Sequence, residues 1–134
     1  MSGYVPGQEL PAQSYRITRA DLVAYAAASG DQNPIHQDEA IALSVGLPGV
    51  IAHGMYTLAL AGRAAVDWAG APGRVVDLGA KFTKPVVVPA GTEGVEIRVA
   101  GTVRAVEGDR TTVALEVTCG DERVLGGATA VLLG

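Results

Sequence analysis

The chain has 134 residues, 49% of them apolar and 18% charged, with a formal net charge of −4. This is long enough for one domain over residues 1–134 with its own core and too apolar for a disordered chain; without a Lys/Arg cluster it excludes a nucleic-acid backbone as partner. A single cysteine, Cys119, excludes an internal disulfide and fits a reducing, cytoplasmic setting.

Residues 1–8 hold no basic stretch followed by an apolar run, so no secretory signal is expected. Thr18-Arg19-Ala20-Asp21 has the form of a helix start, with the Thr18 hydroxyl as cap and Asp21 in the place of a capping-box acid. The spacing predicts a helix over 20–29, with Leu22, Tyr25 and Ala26 toward one face. Gly30 can take the left-handed conformation that stops it. Pro34 keeps Asn33 out of the helical region, which makes Asp31 to His36 a loop. A second short helix is expected from near Asp38 to Gly46.

The most apolar segment lies between Val50 and Trp68, interrupted by Arg63 and Asp67. It reads as a buried helix over 54–69, not as a membrane span. Being apolar on nearly every side, this helix is expected to be surrounded by protein. Arg63 and Asp67 stand four apart and could pair, a contact worth only ~0.5 kcal/mol when exposed.

From Arg74 onward the period is two. Val76, Leu78, Ala80 and Phe82 alternate with polar or small residues, as do Val95 to Val103 and Val113 to Cys119. A weaker strand runs from Arg123 to Leu133. Glu107-Gly108-Asp109-Arg110 and Gly120-Asp121 are hairpin turns. The first half of the chain thus reads as helix and irregular loop, the second as strands. One apolar and one mixed face imply an antiparallel sheet covering something on one side, and the helix at 54–69 is the candidate. The fold class is α+β: a long curved antiparallel sheet wrapped around a central helix.

Two features carry chemistry. Asp31, Asn33 and His36 place a carboxylate, an amide and an imidazole in one short loop stiffened by Pro34. An imidazole can give or take a proton near neutrality, and a carboxylate beside it can orient it, share a water or act as the second acid/base. The same residue types also make a helix-capping turn, and these residues alone do not separate the two. The second feature is Ala52-His53-Gly54-Met55 at the start of the apolar helix. A helix N-terminus offers unpaired N–H groups to an oxygen gaining negative charge, and Gly54 lets a ligand approach closely; alternatively it only permits tight packing.

The remaining candidates are weaker. His53 reads as a hydrogen-bonded structural residue and not as a second base. His36, His53 and Asp31 match no zinc spacing, so no metal is expected. Cys119 falls on the apolar side of a strand and reads as core. Neither a nucleophile elbow nor a phosphate-binding glycine loop is present. Lys81, Lys84, Arg74 and Arg104 are within the range of types that meet carrier phosphates, or they form a solvated sheet edge.

At Tyr25 to Asp38 (YAAASGDQNPIHQD), followed by Gly49 to Met55 (GVIAHGM), the chain resembles the MaoC-like, (R)-specific enoyl hydratase family. The likeness is strongest to the catalytic subunits of actinobacterial (3R)-hydroxyacyl-acyl-carrier-protein dehydratases. It implies a hot-dog fold, which agrees with the sheet around a helix. It implies reversible hydration of trans-2-enoyl thioesters, carried on CoA or acyl carrier protein and needing no cofactor. The implied roles are an acid/base pair at Asp31 and His36, support from Asn33, and an oxyanion donor at the Gly54 N–H. One departure stands out: some members carry a serine on the central helix, where this chain has Leu60, Ala61 and Gly62. Small residues there would widen an acyl channel.

Two other readings share the fold. A hot-dog thioesterase would use a carboxylate and a helix N-terminus, but the Asn33-Pro34-Ile35-His36 segment argues against it. A non-catalytic partner subunit would be expected to lose the acid/base pair, which this chain keeps. A lone hot-dog protomer leaves a sheet edge and a half-built pocket. A homodimer, or a heterodimer with a related hot-dog subunit, is therefore expected.

Overall fold

The structure is a computed structural model and describes residues 3–134. Its elements in chain order are β1 (Glu9–Ile17), α1 (Arg19–Ser29), α2 (Glu39–Ser44), α3 (Gly54–Ala69), β2 (Val75–Phe82), β3 (Val95–Glu107), β4 (Arg110–Cys119), β5 (Glu122–Arg123) and β6 (Leu125–Leu133). The strands form one six-stranded antiparallel sheet in the order β1-β3-β4-β6-β2, with the two-residue β5 paired to β4. The sheet packs on α3, the hot-dog arrangement that the sequence resemblance implies.

Local rules account for much of this. Thr18 caps α1: its hydroxyl accepts from the Asp21 N–H, and the Asp21 carboxylate accepts from the Thr18 N–H at 2.9 Å, closing the box. Gly30 ends the helix at φ 83°. Asp38 caps α2 through the Ile41 N–H at 3.2 Å. Gly108 and Gly120 sit at φ 64° and 61°, which lets β3 turn into β4 between Glu107 and Arg110, and β4 into β5 between Cys119 and Glu122.

The core lies between α3 and the inner face of the sheet. Ala61, Ala64 and Ala65, with Leu60 beside them, share one buried core with the inward-facing Val99, Val103, Val113 and Val117. Small helix residues let the axis sit close to the curved sheet. Gly101 on β3 extends this logic: a Cβ there would lie 2.8 Å from the Trp68 ring and 2.9 Å from Val113, so only hydrogen fits.

Three expectations are corrected. Residues 9–17 form a strand, β1, although the first half of the chain reads as helix and loop. β1 is an edge strand with Pro11 and a register shift between Leu10 and Gln13, and only Leu10 and Ile17 are fully buried. No clean alternation survives such a bulge. Second, α3 is not enclosed on every side in this chain: Met55, Ala59, Arg63 and Asp67 are exposed, one stripe at i, i+4 spacing. Third, the Arg63 guanidinium lies over the Tyr15 ring, 5.2 Å from its centroid, instead of forming an ion pair with Asp67. No helix among the described residues is long and apolar enough to cross a membrane.

Candidate active site

Three segments distant in sequence meet at one end of α3: the loop from Ser29 to His36, the strand-like run from Val50 to His53, and residues Phe82 to Val88. Backbone bonds tie them. The Ile51 N–H donates to the Ile35 carbonyl at 3.2 Å, the Ala52 N–H to Val86 at 2.9 Å, and the Val88 N–H to Val50 at 2.8 Å. The two sequence motifs are thus neighbours in one hydrogen-bonded unit.

The loop is locally ordered. The Asp31 N–H donates to Ser29 Oγ, the Asn33 N–H to Asp31 Oδ1, and the Ile35 N–H to Asn33 Oδ1, each at 3.2 Å. Asn33 supports Asp31 through its backbone, and its side chain caps the turn Pro34–His36. Its amide therefore acts on the turn, not directly on the imidazole.

His36 is buried and faces Asp31. Its Nδ1 lies 2.7 Å from the Ile51 carbonyl. A carbonyl oxygen only accepts, so Nδ1 carries a proton, and in the neutral ring Nε2 is the nitrogen that can accept one. Nε2 is 3.9 Å from Asp31 Oδ2, too far for a direct hydrogen bond and suited to sharing one small polar group. The two environments differ: the His36 side chain is 8% exposed and that of Asp31 53%.

Both residues open onto a cavity of about 570 Å³, which Gly54 also lines. As the first residue of α3, Gly54 has no helical carbonyl four residues earlier for its N–H. Its backbone is not left-handed, and an added Cβ would meet the Phe82 ring at 3.0–3.1 Å, so glycine lets that ring lie close against the start of the helix.

His53 caps α3 without a side-chain cap bond. Its Nε2 lies 3.1 Å from the Asp31 carbonyl, and its ring stacks on that of His36 at 3.8 Å. Asp31, His36 and His53 bring one potential donor atom each within 4.8 Å of one another. Stacked rings, 22° from parallel, send their in-plane lone pairs side by side, and a carbonyl engages one nitrogen of each. This does not match the convergent tetrahedral set of a zinc site.

Leu60 and Ala61 are buried in the core, and Gly62 packs against Leu78. None of the three borders the cavity, so they do not widen it. Sequence reasoning missed several walls that do border it: Thr57, Phe82 and Pro85. Thr57, buried one turn into an apolar helix, was a readable signal. Lys84 stands at the cavity too, with its ammonium 3.9 Å from Glu122 and half exposed. Cys119 is partly buried against the core, and burial pushes its thiol pKa up, with Glu122 adding to the effect. A raised thiol pKa disfavours the nucleophilic form, in keeping with its reading as a packing residue.

The family model described as the MaoC like domain matches residues 2–120. The chain belongs to this family. Among MaoC-like relatives, it is 43% identical over 83 residues to 3-hydroxyacyl-thioester dehydratase X of Mycobacterium tuberculosis, covering 60% of this chain and 28% of that protein. It is 33% identical to the 3-hydroxybutyryl-CoA dehydratase of Methylorubrum extorquens, over 86% of this chain and 72% of the other. The chain thus spans little more than a quarter of the mycobacterial relative and most of the Methylorubrum one. Among solved structures, the (R)-hydratase from A. caviae involved in PHA biosynthesis superposes with a TM-score of 0.85 at 25% identity, over the whole of both chains. The MaoC-like hot-dog fold is therefore that of the chain as a whole.

Proposed function

We propose that the protein hydrates trans-2-enoyl thioesters and dehydrates (3R)-3-hydroxyacyl thioesters, with Asp31 and His36 as the acid/base pair. The observation that carries this reading is the orientation of His36: with Nδ1 engaged by the Ile51 carbonyl, Nε2 is held opposite Asp31 Oδ2 at the wall of the cavity. In hydration the pair holds one water against the β-carbon. It takes one proton as the hydroxyl bonds there and returns one to the α-carbon, so it ends unchanged. Dehydration runs in reverse: His36 takes the α-proton and Asp31 protonates the departing hydroxyl. The two groups form a coupled pair, and protonation belongs to the pair. The thioester acidifies the α-proton itself, so the step needs no cofactor. The Gly54 N–H at the start of α3 is the donor to the enolate-like thioester oxygen. The names of the relatives support the reaction class.

The acyl carrier, CoA or acyl carrier protein, and a cytoplasmic setting belong to the same proposal. So does assembly as a dimer with itself or with a related hot-dog subunit. The open edge of β2, the exposed Val76 and Phe82 beside it, and the uncovered stripe on α3 support the dimer. Sedimentation of the purified chain as a monomer at all concentrations would remove the homodimer.

The test is loss of enoyl absorbance from crotonyl-CoA and longer enoyl thioesters on CoA and carrier protein. Asp31→Asn and His36→Gln are each expected to lower kcat by about a thousandfold. Release of free thiol from saturated acyl-CoA, with no hydration, would instead make the protein a thioesterase. Gly54→Ala is expected to lower kcat/KM by roughly 10- to 100-fold, since the methyl group occupies the oxygen's approach. The fold should survive, because Phe82 is 57% exposed and free to swing away.

A further inference from the structure

His53 is a buried group that the reaction above does not use. It is 2% exposed, and a buried imidazole is expected to have both nitrogens partnered. Only one is. Nε2 faces the Asp31 carbonyl and must carry the proton, because a carbonyl only accepts. Nδ1, an acceptor in the neutral ring, has no hydrogen-bond partner among the described residues. The residue also stands at the N-cap of α3 and caps nothing, where Ser, Thr, Asp or Asn would satisfy an orphan N–H. As a packing group, a phenyl ring would do better, with no unpaired nitrogen. As a cap, a serine would do better. Neither role explains an imidazole here.

Its two directed contacts do. We propose that His53 is a positioning residue that sets both members of the acid/base pair: its Nε2–H holds the Asp31 backbone, and its ring face holds the His36 ring. This rests on the hydratase reading above. The bonds to Ile51 tie the loop to the protein body at Ile35 and His36, but the hydrogen bonds of Asp31 within the loop reach only Ser29 and Asn33 and leave Asp31 itself untied. The bond to His53 bridges 22 residues and supplies that tie. The His36 ring is held by its own Cβ and, through Nδ1, by the Ile51 carbonyl, two anchors that leave a tilt about the line joining them. The His53 ring, 3.8 Å away and 22° from parallel, removes that freedom. Tyr25 meets His53 edge-on at 4.8 Å and itself stacks on Tyr56, so His53 is backed by a column of rings. In this account His53 acts together with the Ile51 carbonyl to set the 3.9 Å between Asp31 Oδ2 and His36 Nε2.

Two variants separate the contacts. His53→Phe keeps a ring against His36 and loses the donor. His53→Gln keeps a side-chain N–H near the place of Nε2 and loses the ring. Wild type, both variants and Asp31→Asn are compared by enoyl hydration, urea unfolding and the amide resonance of Gln32, which shares its peptide group with the Asp31 carbonyl. His53→Phe is expected to unfold no earlier than wild type, yet to lose about 10- to 100-fold in kcat with KM within about twofold. Its Gln32 resonance should move. His53→Gln should return the Gln32 resonance to near its wild-type position and recover roughly half of that loss on a logarithmic scale. Wild-type kcat in His53→Phe beside an inactive Asp31→Asn overturns the positioning role and leaves the hydratase reading intact. A Gln32 resonance unmoved in His53→Phe overturns the tether whatever the activity. An inactive wild type overturns the hydratase reading, and the Gln32 resonance then decides the tether by itself.

Discussion

In the β3–β4 hairpin, Val99 pairs with Val117 and Val103 with Val113, all four buried against α3. Between Gly30 and His36, only the His36 side chain is buried, and order comes from bonds running from backbone N–H groups to Ser29, Asp31 and Asn33. One region is held by area removed from water, which is diffuse and shared among many atoms. The other is held by a few directional bonds, each with one donor and one acceptor. The difference separates stability from chemistry. Changes in the hairpin should alter whether the chain folds, and changes in the loop should alter what the folded chain does.

The sharpest way to break this separation is at Asp31. With its side chain half exposed, Asp31→Asn should leave the urea midpoint within error of wild type while removing the thousandfold in kcat given above. A midpoint that falls with the activity would make the loop part of the scaffold. The reverse experiment is Gly101→Ala. The added methyl group meets Trp68 and Val113 inside 3 Å and should cost about 1–3 kcal/mol in urea unfolding, with kcat of the folded fraction unchanged. Thr18→Ala lies between the regions, since it removes the cap of the helix that leads into the loop. About 1 kcal/mol of stability should go, with less than a twofold change in kcat.

The smallest effect is expected at Tyr15. Its hydroxyl is sealed from solvent and has no hydrogen-bond partner among the described residues. Burial raises its pKa above 10.0, the nearby Asp67 raises it further, and Arg63 acts in the opposite direction. A raised pKa in the folded state means that the neutral phenol is favoured there. Its contribution is intact below the ordinary tyrosine pKa and lost as pH climbs through the folded value. Tyr15→Phe should therefore unfold at the same urea concentration or higher near neutrality, by at most about 1 kcal/mol. It should also flatten the decline of stability above pH 10, read by unfolding at a series of alkaline pH values.

Much of the frame was legible because it obeys short-range rules. Thr18 and Asp21 form their box, Gly30 stops its helix, and Gly108 and Gly120 turn their strands, all within four residues of the partner. The period of two survives in β3 and β4 because one face is wholly buried. β1 escaped because an edge strand with a bulge and Pro11 has little buried face to leave a pattern. Arg63 escaped because its partner, Tyr15, lies on another strand and not one helical turn away. Of the candidate site, Asp31, His36 and Gly54 were readable as residue types at suggestive spacings, while Phe82 and Pro85 carry no chemistry that marks them as walls of a cavity.

Apart from β1, the sequence by itself determined the elements, their caps and turns, the apolar helix that the sheet covers, and the membership of Asp31 and His36 in one loop. These depend on backbone geometry and periodicity, which neighbouring residues control. Only the tertiary structure decided which nitrogen of His36 faces Asp31, how far it stands from the carboxylate, and that His53 touches both. Those facts depend on the Ile51 carbonyl, the Asp31 carbonyl and a stacked ring, groups brought together across 15 to 22 residues of chain. A hydrogen bond over such a distance exists only after the sheet has closed on the helix, and no local pattern records it.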